Sequence, residues 1–582
     1  MDEINCEEIL KQAGLAEADL RINAANEKFR EKERQCVELT GQLQDKIEQI
    51  QKLKQIEDQV RGDRPGRIDL VLKENRDLWT EWYDSSVTTE TIYVDDPIYR
   101  QVLVEEQISP IFRHPLVQRL GHIKQLSFSQ LTFPAATHTR LSHSLGAAKN
   151  AEKAAARILD KGVLYSANGI KRIELSEEEK RHLVLQAKVA GLLHDLGHGP
   201  FGHGLDQYVK AITKKGSPDK VFAINYIQKY LSNTISNCGI DVDGVVRVLS
   251  TEGSDLEGYE TLINNLIDSP LDIDRMDYLV RDAHMTGLSI GAINIDALIE
   301  RMIPFEGVIN EEDGRITRQI LLTFERSAIP YITHMLYARD SMYLNCYEHP
   351  KKVLAERMLT KAVEEFRRKN ENVGIEDLML LTDEELLRML IKFSDKNDIA
   401  RNYAYAILRN EPFQEVFSIQ PNRFKAYQES KTKSESKSAQ PQPPSNEILR
   451  EEQEVPLKPN PKIENWEQHS LNWKDQHLDQ PRQWEERLAE EAELGEESWK
   501  VIITVPSEIV PTPKFDEIRI LSPSGSSFDK LDRLRGYWEG VLKHIAIERY
   551  SIKVFASSDL SEAKIAKIYN AAKELFSEES SG

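Results

Sequence analysis

A cluster of imidazole and carboxylate side chains lies in the stretch AGLLHDLGHGPFGHGLD. His194 and His198 are four residues apart, so they share one face of a helix. Glycine and proline residues then break the helix, which lets His203 and Asp206 turn back toward the same space. Burial of His194 or of its neighbour Asp195 without a partner would be costly. The composition predicts a metal ion held by these groups, although a helix end with exposed histidines is the simpler alternative.

Two further segments carry side chains of the same kinds. In HTRLSHSLG, Arg140 and His143 stand at the start of an apolar helix. In IDRMDYLVRD, Asp274, Tyr278 and Asp282 follow one another at intervals of four, so one helical face carries two carboxylates and a phenol. These segments predict additional ligands and polar contacts for the same site.

Two arginines add positive charge near these groups. Arg275 follows Asp274 directly, and Arg339 shares a helical face with Tyr343 and Tyr347 in YARDSMYLNCY. A guanidinium beside phenols suits contact with phosphate and sugar. A solvated or salt-bridged helix face explains the Arg339 segment equally well.

Composition limits the classes of function. The 582 residues include four cysteines without CxxC spacing, so histidine and carboxylate must hold any metal. No stretch approaches the roughly 18 apolar residues of a membrane span, and we expect a cytoplasmic protein without membrane contact. The formal net charge of −20 argues against non-specific coating of nucleic acid, so we do not expect nucleic acid as the main substrate.

The sequence divides into four parts by pattern and composition. Residues 1–62 show apolar positions with a mean step near 3.5, typical of a helical or coiled-coil segment. Residues 67–425 alternate amphipathic helical segments with short breaks, which predicts an all-α catalytic core with a helical extension. Residues 426–498 are polar and predict a partly disordered linker, although its tryptophans suggest some docking. Residues 499–582 mix strand and helix patterns and predict a small α+β module.

The motifs in this order resemble those of a known family. The order His143, His194-Asp195, Asp274 is similar to the H…HD…D signature of the HD-domain metallophosphohydrolases. The segments FPAATHTRLSHSLG, AGLLHDLGHGPFGH, DIDRMDYLVRDAHMTG and YARDSMYLNCYEH resemble the deoxynucleoside triphosphate (dNTP) triphosphohydrolases. The resemblance implies a mainly α, HD-domain core. It also implies that metal-activated water attacks the α-phosphorus of a dNTP and releases deoxynucleoside and inorganic triphosphate.

The resemblance also implies roles for individual residues. Fe, Mn or a similar divalent ion would be held by His143, His194, Asp195 and Asp274, and Mg²⁺ would arrive with the triphosphate. The acid or in-line group would be His203, with His198 and Asp206 nearby. The phosphate contacts would come from Arg140, Arg275 and Arg339. The deoxyribose would contact Gln125, Leu126, Tyr278, Asp282 and Tyr347.

Regulation and assembly follow from the same resemblance. Gln118 and Arg119 match a nucleotide-activator segment of the vertebrate relatives, whereas Arg113 and Gly121 depart from it. We therefore expect nucleotide activation of unknown base preference, and a homo-oligomer, a tetramer or hexamer. Relatives also carry a His-Glu pair one helix after the GPFSH-like stretch, and KVFAINYIQKY has neither residue.

Two other functions remain open. An HD-type nuclease or phosphodiesterase would use the same metal site on an open basic groove. A nucleotide-sensing regulatory protein would use the core as a sensor and the flanking segments for output, for instance in antiviral defence against phage.

Overall fold

The computed structural model describes eight stretches of the chain. They are residues 64–81, 89–214, 217–250, 256–310, 316–419, 480–504, 517–531 and 552–578. The chain divides into two units, Met1–Leu70 and Val71–Gly582, and of the first only the beginning of a helix is described. The predicted coiled-coil segment 1–62 and residues 426–479 of the predicted linker lie outside the described residues.

Helices dominate the described residues, which confirms the predicted mainly α fold. In chain order they are α1 (Arg64–Thr80), α2 (Ser109–Arg113), α3 (Pro115–Arg119), α4 (Arg140–Asp160), α5 (Glu177–Leu193), α6 (Asp206–Thr213), α7 (Pro218–Tyr226), α8 (Ser232–Asn237), α9 (Val242–Leu249), α10 (Gly258–Ile267), α11 (Ile273–Thr286), α12 (Ile295–Glu300), α13 (Ile329–Met342), α14 (Pro350–Lys369), α15 (Ile375–Met379), α16 (Asp383–Phe393), α17 (Ile399–Arg409), α18 (Gln480–Glu491) and α19 (Glu562–Glu578). None of these described helices is long and apolar enough to cross a membrane.

The described strands form three sheets. They are β1 (Ile92–Asp96), β2 (Arg100–Val104), β3 (Val163–Ser166), β4 (Gly169–Arg172), β5 (Met302–Asn310), β6 (Ile316–Phe324), β7 (Phe413–Ile419), β8 (Val501–Thr504), β9 (Arg519–Leu521), β10 (Phe528–Lys530) and β11 (Ile552–Ser557). β1 and β2 form a hairpin, a second sheet has the order β10-β9-β6-β5-β3-β4, and a third has the order β7-β11-β8. The second sheet is antiparallel except for the β3–β5 and β6–β9 pairs.

Helices α4 and α5 pack closely and form the centre of the fold. Helix α5 begins at a capping box between Ser176 and Glu179 and ends in a fully buried apolar turn. A Cβ on Gly191 would lie 3.0 Å from the Cα of Ala148 and 3.1 Å from the Cβ of Ala151. Glycine at this position, opposite the small residues of α4, lets the two helices approach and brings their polar residues together.

The C-terminal strands are paired with elements from earlier in the chain. Strand β7, which the sequence analysis assigned to the catalytic core, pairs with β11, and β11 pairs with β8. Residues 480–498 fell in the predicted linker but include helix α18. Trp484 and Leu488 of this helix, and Ala492 directly after it, are buried in one cluster with residues of this sheet. Their spacing of four residues makes an apolar stripe, which the many glutamates between them obscure in the composition.

Candidate metal centre and active-site cavity

Helix α5 ends at the His194-Asp195 pair. His194 is the residue directly after the last helical residue, and Asp195 follows it. His194 Nδ1 lies 2.8 Å from the carbonyl oxygen of Gly191. Because a carbonyl only accepts hydrogen bonds, Nδ1 carries the proton and Nε2 presents its lone pair on the opposite side of the ring.

Side chains from α4, α11 and the end of α5 bring four potential ligands together. His143 Nε2 lies 3.2 Å from His194 Nε2 and 3.0 Å from Asp274 Oδ1. His194 Nε2 lies 3.6 Å from Asp274 Oδ1 and 3.4 Å from Asp195 Oδ1. Ligands about 2.1 Å from one metal ion are about 3.0–3.4 Å apart at octahedral or tetrahedral angles. The spacing therefore fits one divalent ion, and two imidazoles with two carboxylates suit a transition metal.

A chain of buried charges, which the sequence analysis did not single out, orients the His143 ring. His143 Nδ1 lies 2.8 Å from Asp277 Oδ2. Arg281 donates to Asp277 through Nε and Nη2, each at 2.9 Å, and through Nη1 to Asp96 at 2.6 Å. The bond to Asp277 keeps the proton on Nδ1 and turns Nε2 toward the ligand cluster. The signal for Asp277 is its place one turn after Asp274 on the same helix.

The electrostatics of the ligand cluster favour positive charge at its centre. Burial by itself lowers the pKa of His143, but hydrogen bonds to Asp274 and Asp277 raise that pKa to about 10. The pKa of His194 is also raised, because Asp195 and Asp274 outweigh burial. Burial raises the pKa of Asp274, but the two imidazoles hold it well below its usual range. A divalent cation satisfies all four ligands at once.

His198, His203 and Asp206 form a second cluster beside the first. His198 Nε2 lies 3.3 Å from Asp195 Oδ1, and the His198 and His203 rings meet edge to face with centroids 4.7 Å apart. His203 Nδ1 lies 2.6 Å from Asp206 Oδ2, and the His203 side chain is 65% exposed. Burial and the Arg140 charge lower the pKa of His198. Desolvation lowers the pKa of His203, but the effect of Asp206 is larger, so the pKa of His203 is raised overall. His203 is therefore a better proton donor than His198.

Arg140 begins helix α4 at the edge of both clusters and is almost fully buried. Its Nη1 donates to Asp195 Oδ2 at 2.6 Å, whereas Nε and Nη2 have no hydrogen-bond partner among the described residues. A Cβ on Gly202 would lie 2.3 Å from Arg140 Nη2, so glycine is required for this approach. Buried N–H groups without partners are unfavourable unless a ligand binds them. Arg140 therefore marks a position for an anion.

One cavity joins the two clusters. It is lined by Arg140, His194, Asp195, His198, His203 and Asp274. The lining also includes Asp219, Lys220, Ala223, Val248, Leu249, Ile267 and Asp268. Asp219 and Lys220 lie one helix after the GPFGH stretch, where the sequence analysis noted the missing His-Glu pair. The sequence analysis named neither of them as a site residue.

The predicted sugar contacts are grouped, but only some face this cavity. Gln125 and Tyr278 line it, and the side-chain oxygen of Gln125 is buried without a hydrogen-bond partner among the described residues. Asp282 accepts a hydrogen bond from the Tyr347 hydroxyl at 2.7 Å, and the Tyr347 and Tyr278 rings lie 6.1 Å apart. Leu126, Asp282 and Tyr347 are not part of the cavity lining.

Arg275 and Arg339, the other two predicted phosphate ligands, are engaged inside the protein. Arg275 donates to the carboxylate of Asp272, which caps helix α11. Arg339 donates to Asp340 at 3.3 Å and lies over the ring of Tyr343, 4.6 Å from its centroid. Neither arginine lines the cavity. Their predicted phosphate contacts require these interactions to rearrange.

Arg119 joins the loop after α5 to the surrounding helices, a role that the sequence analysis missed. Its guanidinium is fully buried. Nη1 donates to the carbonyls of Met379 and Leu381 at 3.1 and 3.2 Å, and Nη2 to those of Leu196 and His198 at 3.1 and 2.8 Å. In this conformation Arg119 does not meet solvent, so the predicted activator nucleotide would have to contact other residues.

Part of the chain is similar in sequence to a known family and to known proteins. Residues 140–241 match the family described as HD domain. An uncharacterized protein of Methanocaldococcus jannaschii is 30% identical over 298 residues, which cover 51% of this chain and 54% of that protein. The human protein named deoxynucleoside triphosphate triphosphohydrolase SAMHD1 is 26% identical over 301 residues, 46% of this chain and 44% of that protein. The matched segment thus spans about half the length of these relatives.

A solved structure shares the fold over a longer stretch. The crystal structure of a hypothetical protein from Aquifex aeolicus covers 82% of this chain and 100% of its own length, with a TM-score of 0.52 and 20% sequence identity. At this identity the likeness concerns the fold and carries no statement about activity.

Proposed function

Residues 140–241 form an HD domain, and on this basis we propose that the protein hydrolyses dNTPs to deoxynucleoside and inorganic triphosphate. The HD family match and the dNTP triphosphohydrolase relatives support a metal-dependent phosphohydrolase. One observation carries the finer proposal. Three of the four proposed metal ligands, His194, Asp195 and Asp274, line one cavity together with Arg140 and the exposed His203. The fourth, His143, contacts His194 and Asp274, and two nitrogens of Arg140 have no hydrogen-bond partner among the described residues.

The residues of the cavity have different roles in the proposed reaction. A divalent ion held by His143, His194, Asp195 and Asp274 would supply Lewis-acid activation of water and of a phosphate oxygen. The two unpartnered nitrogens of Arg140, Nε and Nη2, donate to phosphate oxygens, where negative charge increases in the transition state. His203, kept protonated by Asp206, donates its proton to the departing 5′-oxygen.

The side of the cavity near Gln125 would select the sugar. The buried amide oxygen of Gln125 accepts a hydrogen bond from a deoxyribose hydroxyl. The Tyr278 ring packs against the sugar, and the hydrogen bond between Tyr347 and Asp282 holds the neighbouring ring in place. An aromatic wall of this kind leaves little room for a 2′-hydroxyl, which favours deoxynucleotides.

The proposal is tested with the purified full-length protein, each dNTP singly and mixed, the matching ribonucleotides, and Mn²⁺ or Mg²⁺. We expect chromatography to show deoxynucleoside and triphosphate, with ribonucleotides cleaved at least about tenfold more slowly. The His194→Ala/Asp195→Ala variant abolishes the activity. His284→Ala, at an exposed histidine on α11, serves as the matched control and retains it.

Other outcomes would identify the alternatives. Cleavage of single-stranded nucleic acid or of a phosphodiester, with dNTPs left intact, would contradict the proposal in favour of an HD-type nuclease. Binding of dNTPs without turnover by the metal-loaded protein would favour a nucleotide sensor. Hydrolysis only in dNTP mixtures would support the proposed nucleotide activator, and gel filtration tests the proposed homo-oligomer.

A further inference from the structure

A lysine lines the cavity beside the ligand cluster, and we propose that this residue, Lys220, binds the polyphosphate of the substrate. The inference rests on the proposed function, because it treats the cavity as a site for a nucleoside polyphosphate. It goes further by adding a phosphate ligand on helix α7, an element that contributes none of the residues predicted from the sequence.

The fold holds Lys220 at the cavity through a close contact of two backbones. Lys220 lies in the first turn of α7. A Cβ on Gly197 would lie 1.9 Å from the carbonyl oxygen of Asp219 and 2.4 Å from the amide nitrogen of Ala223. The loop that follows the His194-Asp195 pair is thus pressed directly against α7. The first turn of α7 therefore has a fixed position relative to the loop that follows the ligand cluster.

The negative charge of a bound triphosphate needs a second basic side chain in the cavity. Among the described residues that line it, one is an arginine, Arg140, and one is a lysine, Lys220, and the other basic residues are histidines. A triphosphate carries up to about four negative charges, and Arg140 already uses one N–H group on Asp195. Its two unpartnered, buried nitrogens, Nε and Nη2, independently mark this cavity as an anion site. Lys220 is therefore the lining side chain best able to bind phosphates that extend beyond Arg140.

The ion pair that Lys220 forms is one that an anionic ligand can replace. Lys220 Nζ contacts the carboxylate of Asp268, the residue that follows α10, and their side chains are 26% and 46% exposed. Ion pairs with this much exposure are weak, because water screens them. A phosphate oxygen with higher charge can therefore displace or share the Asp268 carboxylate. Asp268 then acts as a competitor of the substrate for the lysine.

The proposal predicts opposite effects for the two members of the pair. We expect Lys220→Gln to weaken binding of inorganic tripolyphosphate to the full-length protein about tenfold, by loss of one charge-assisted contact. Asp268→Asn frees the lysine and strengthens binding a few-fold. The matched controls are Lys153→Gln and Asp296→Asn, an exposed pair at 2.6 Å between α4 and α12, and neither changes binding.

Isothermal titration calorimetry with tripolyphosphate measures these affinities, and KM for a dNTP is measured alongside. Metal content and thermal unfolding of Lys220→Gln equal to those of the wild type show that the variant is folded. An unchanged affinity in Lys220→Gln, or a wild type that does not bind tripolyphosphate, overturns the inference. If the wild type hydrolyses dNTPs while Lys220→Gln retains its KM, the inference alone fails. If Lys220→Gln weakens tripolyphosphate binding but the wild type hydrolyses no dNTP, the proposed function alone fails.

Discussion

At the scale of single residues, the proposed metal ligands depend on a carboxylate that is not itself a proposed ligand. Asp277 holds the proton of His143 on Nδ1, and Arg281 and Asp96 hold Asp277 in place through hydrogen bonds of 2.6–2.9 Å. Without this support the His143 ring could rotate or carry its proton on the ligating nitrogen. Such outer partners contribute strongly to metal affinity in histidine sites.

Replacement of Asp277 should therefore weaken metal binding without removing a ligand. We expect Asp277→Asn, which keeps the size of the side chain, to lower Mn²⁺ affinity about 10–100-fold in calorimetric titration. Asp296→Asn, at an exposed carboxylate on α12, is the control and leaves the affinity unchanged. An unaltered Mn²⁺ affinity in a folded Asp277→Asn protein would contradict the orienting role.

The proposed acid gives a pH dependence of defined sign. Asp206 raises the pKa of His203, while the pKa of Asp206 itself is lowered to about 2, because His203 and other charges outweigh the effect of burial. A proton donor must be protonated, so kcat falls as the pH rises through the pKa of His203. Asp206→Asn removes the negative charge, and we expect the alkaline limb of the kcat profile to move to lower pH. A limb that stays in place would exclude His203 as the acid.

The sequence predicts residues of this site only where the spacing is local or the motif is familiar. His194 and His198 are marked by their separation of four, and His143 and Asp274 by their order in the chain. The pair formed by Arg281 and Asp96 joins residues 185 positions apart, and neither residue has a local pattern that indicates the other. Contacts of this kind become visible only once the fold brings the segments together.

At the scale of elements, glycines set the distances between the helices that carry the site. Gly191 lets α4 and α5 pack closely, and Gly197 lets the loop after α5, in which it lies, contact α7. At both positions a Cβ would be too close to backbone atoms of the neighbouring helix. Backbone atoms move less freely than the end of a side chain, so the neighbouring helix cannot easily make room. The distance between the loop after His194-Asp195 and the first turn of α7, which carries Lys220, is therefore set by the size of one residue.

Gly197→Ala should disturb that separation. The new Cβ would clash with the backbone of Asp219 and Ala223, so we expect a loss of about 1–3 kcal/mol in unfolding free energy and a fall in kcat/KM. Urea denaturation and steady-state kinetics measure the two effects. Gly121→Ala is the control, because its Cβ would meet Leu141 at an ordinary 3.4 Å. Equal stability of the two variants would show that the loop and α7 adjust freely.

Helices were predictable at this scale, whereas the large sheet was not. Periods of three to four residues in the apolar positions predict amphipathic helices from local sequence alone. The six-stranded sheet pairs β3 with β5 and β6 with β9, strands that are distant in the chain. Its assembly depends on contacts across the sheet, which local patterns do not encode.

At the scale of the molecule, the C-terminal region is attached to the helix that supports the His203 loop. Glu485 on α18 is buried and contacts Lys361 on α14, and it accepts a hydrogen bond from the amide of Ile503 at 2.8 Å. One residue away, the Thr360 hydroxyl donates to the carbonyl of Gly204 at 3.2 Å. Polar composition alone predicted a linker here, because a single buried glutamate cannot be distinguished from exposed ones by sequence.

This contact predicts that a buried ion pair contributes more to the free energy of unfolding than an exposed one. Lys361→Met removes the nearer of the two cations that contact the buried Glu485 and leaves Arg357 at 3.9 Å, so we expect a loss of about 1–3 kcal/mol in unfolding free energy. The additional change Glu485→Gln removes the weakly compensated charge but keeps an acceptor for the Ile503 amide, so the double variant should regain part of the loss. Urea denaturation monitored by tryptophan fluorescence measures both.

The matched control for this prediction is the pair of Lys567 and Glu493, which is 2.8 Å long and 47% and 79% exposed. Lys567→Met should lower the free energy of unfolding by less than about 1 kcal/mol, because solvent screens an exposed pair.

The contact between α14 and the His203 loop also predicts a kinetic effect. Thr360, next to Lys361, binds the carbonyl of Gly204, so a shift of α14 displaces the loop that carries His203. We expect kcat to fall in Lys361→Met and to stay unchanged in Lys567→Met. Equal losses of stability and activity in the two variants would show that the C-terminal region is not coupled to the cavity through α14.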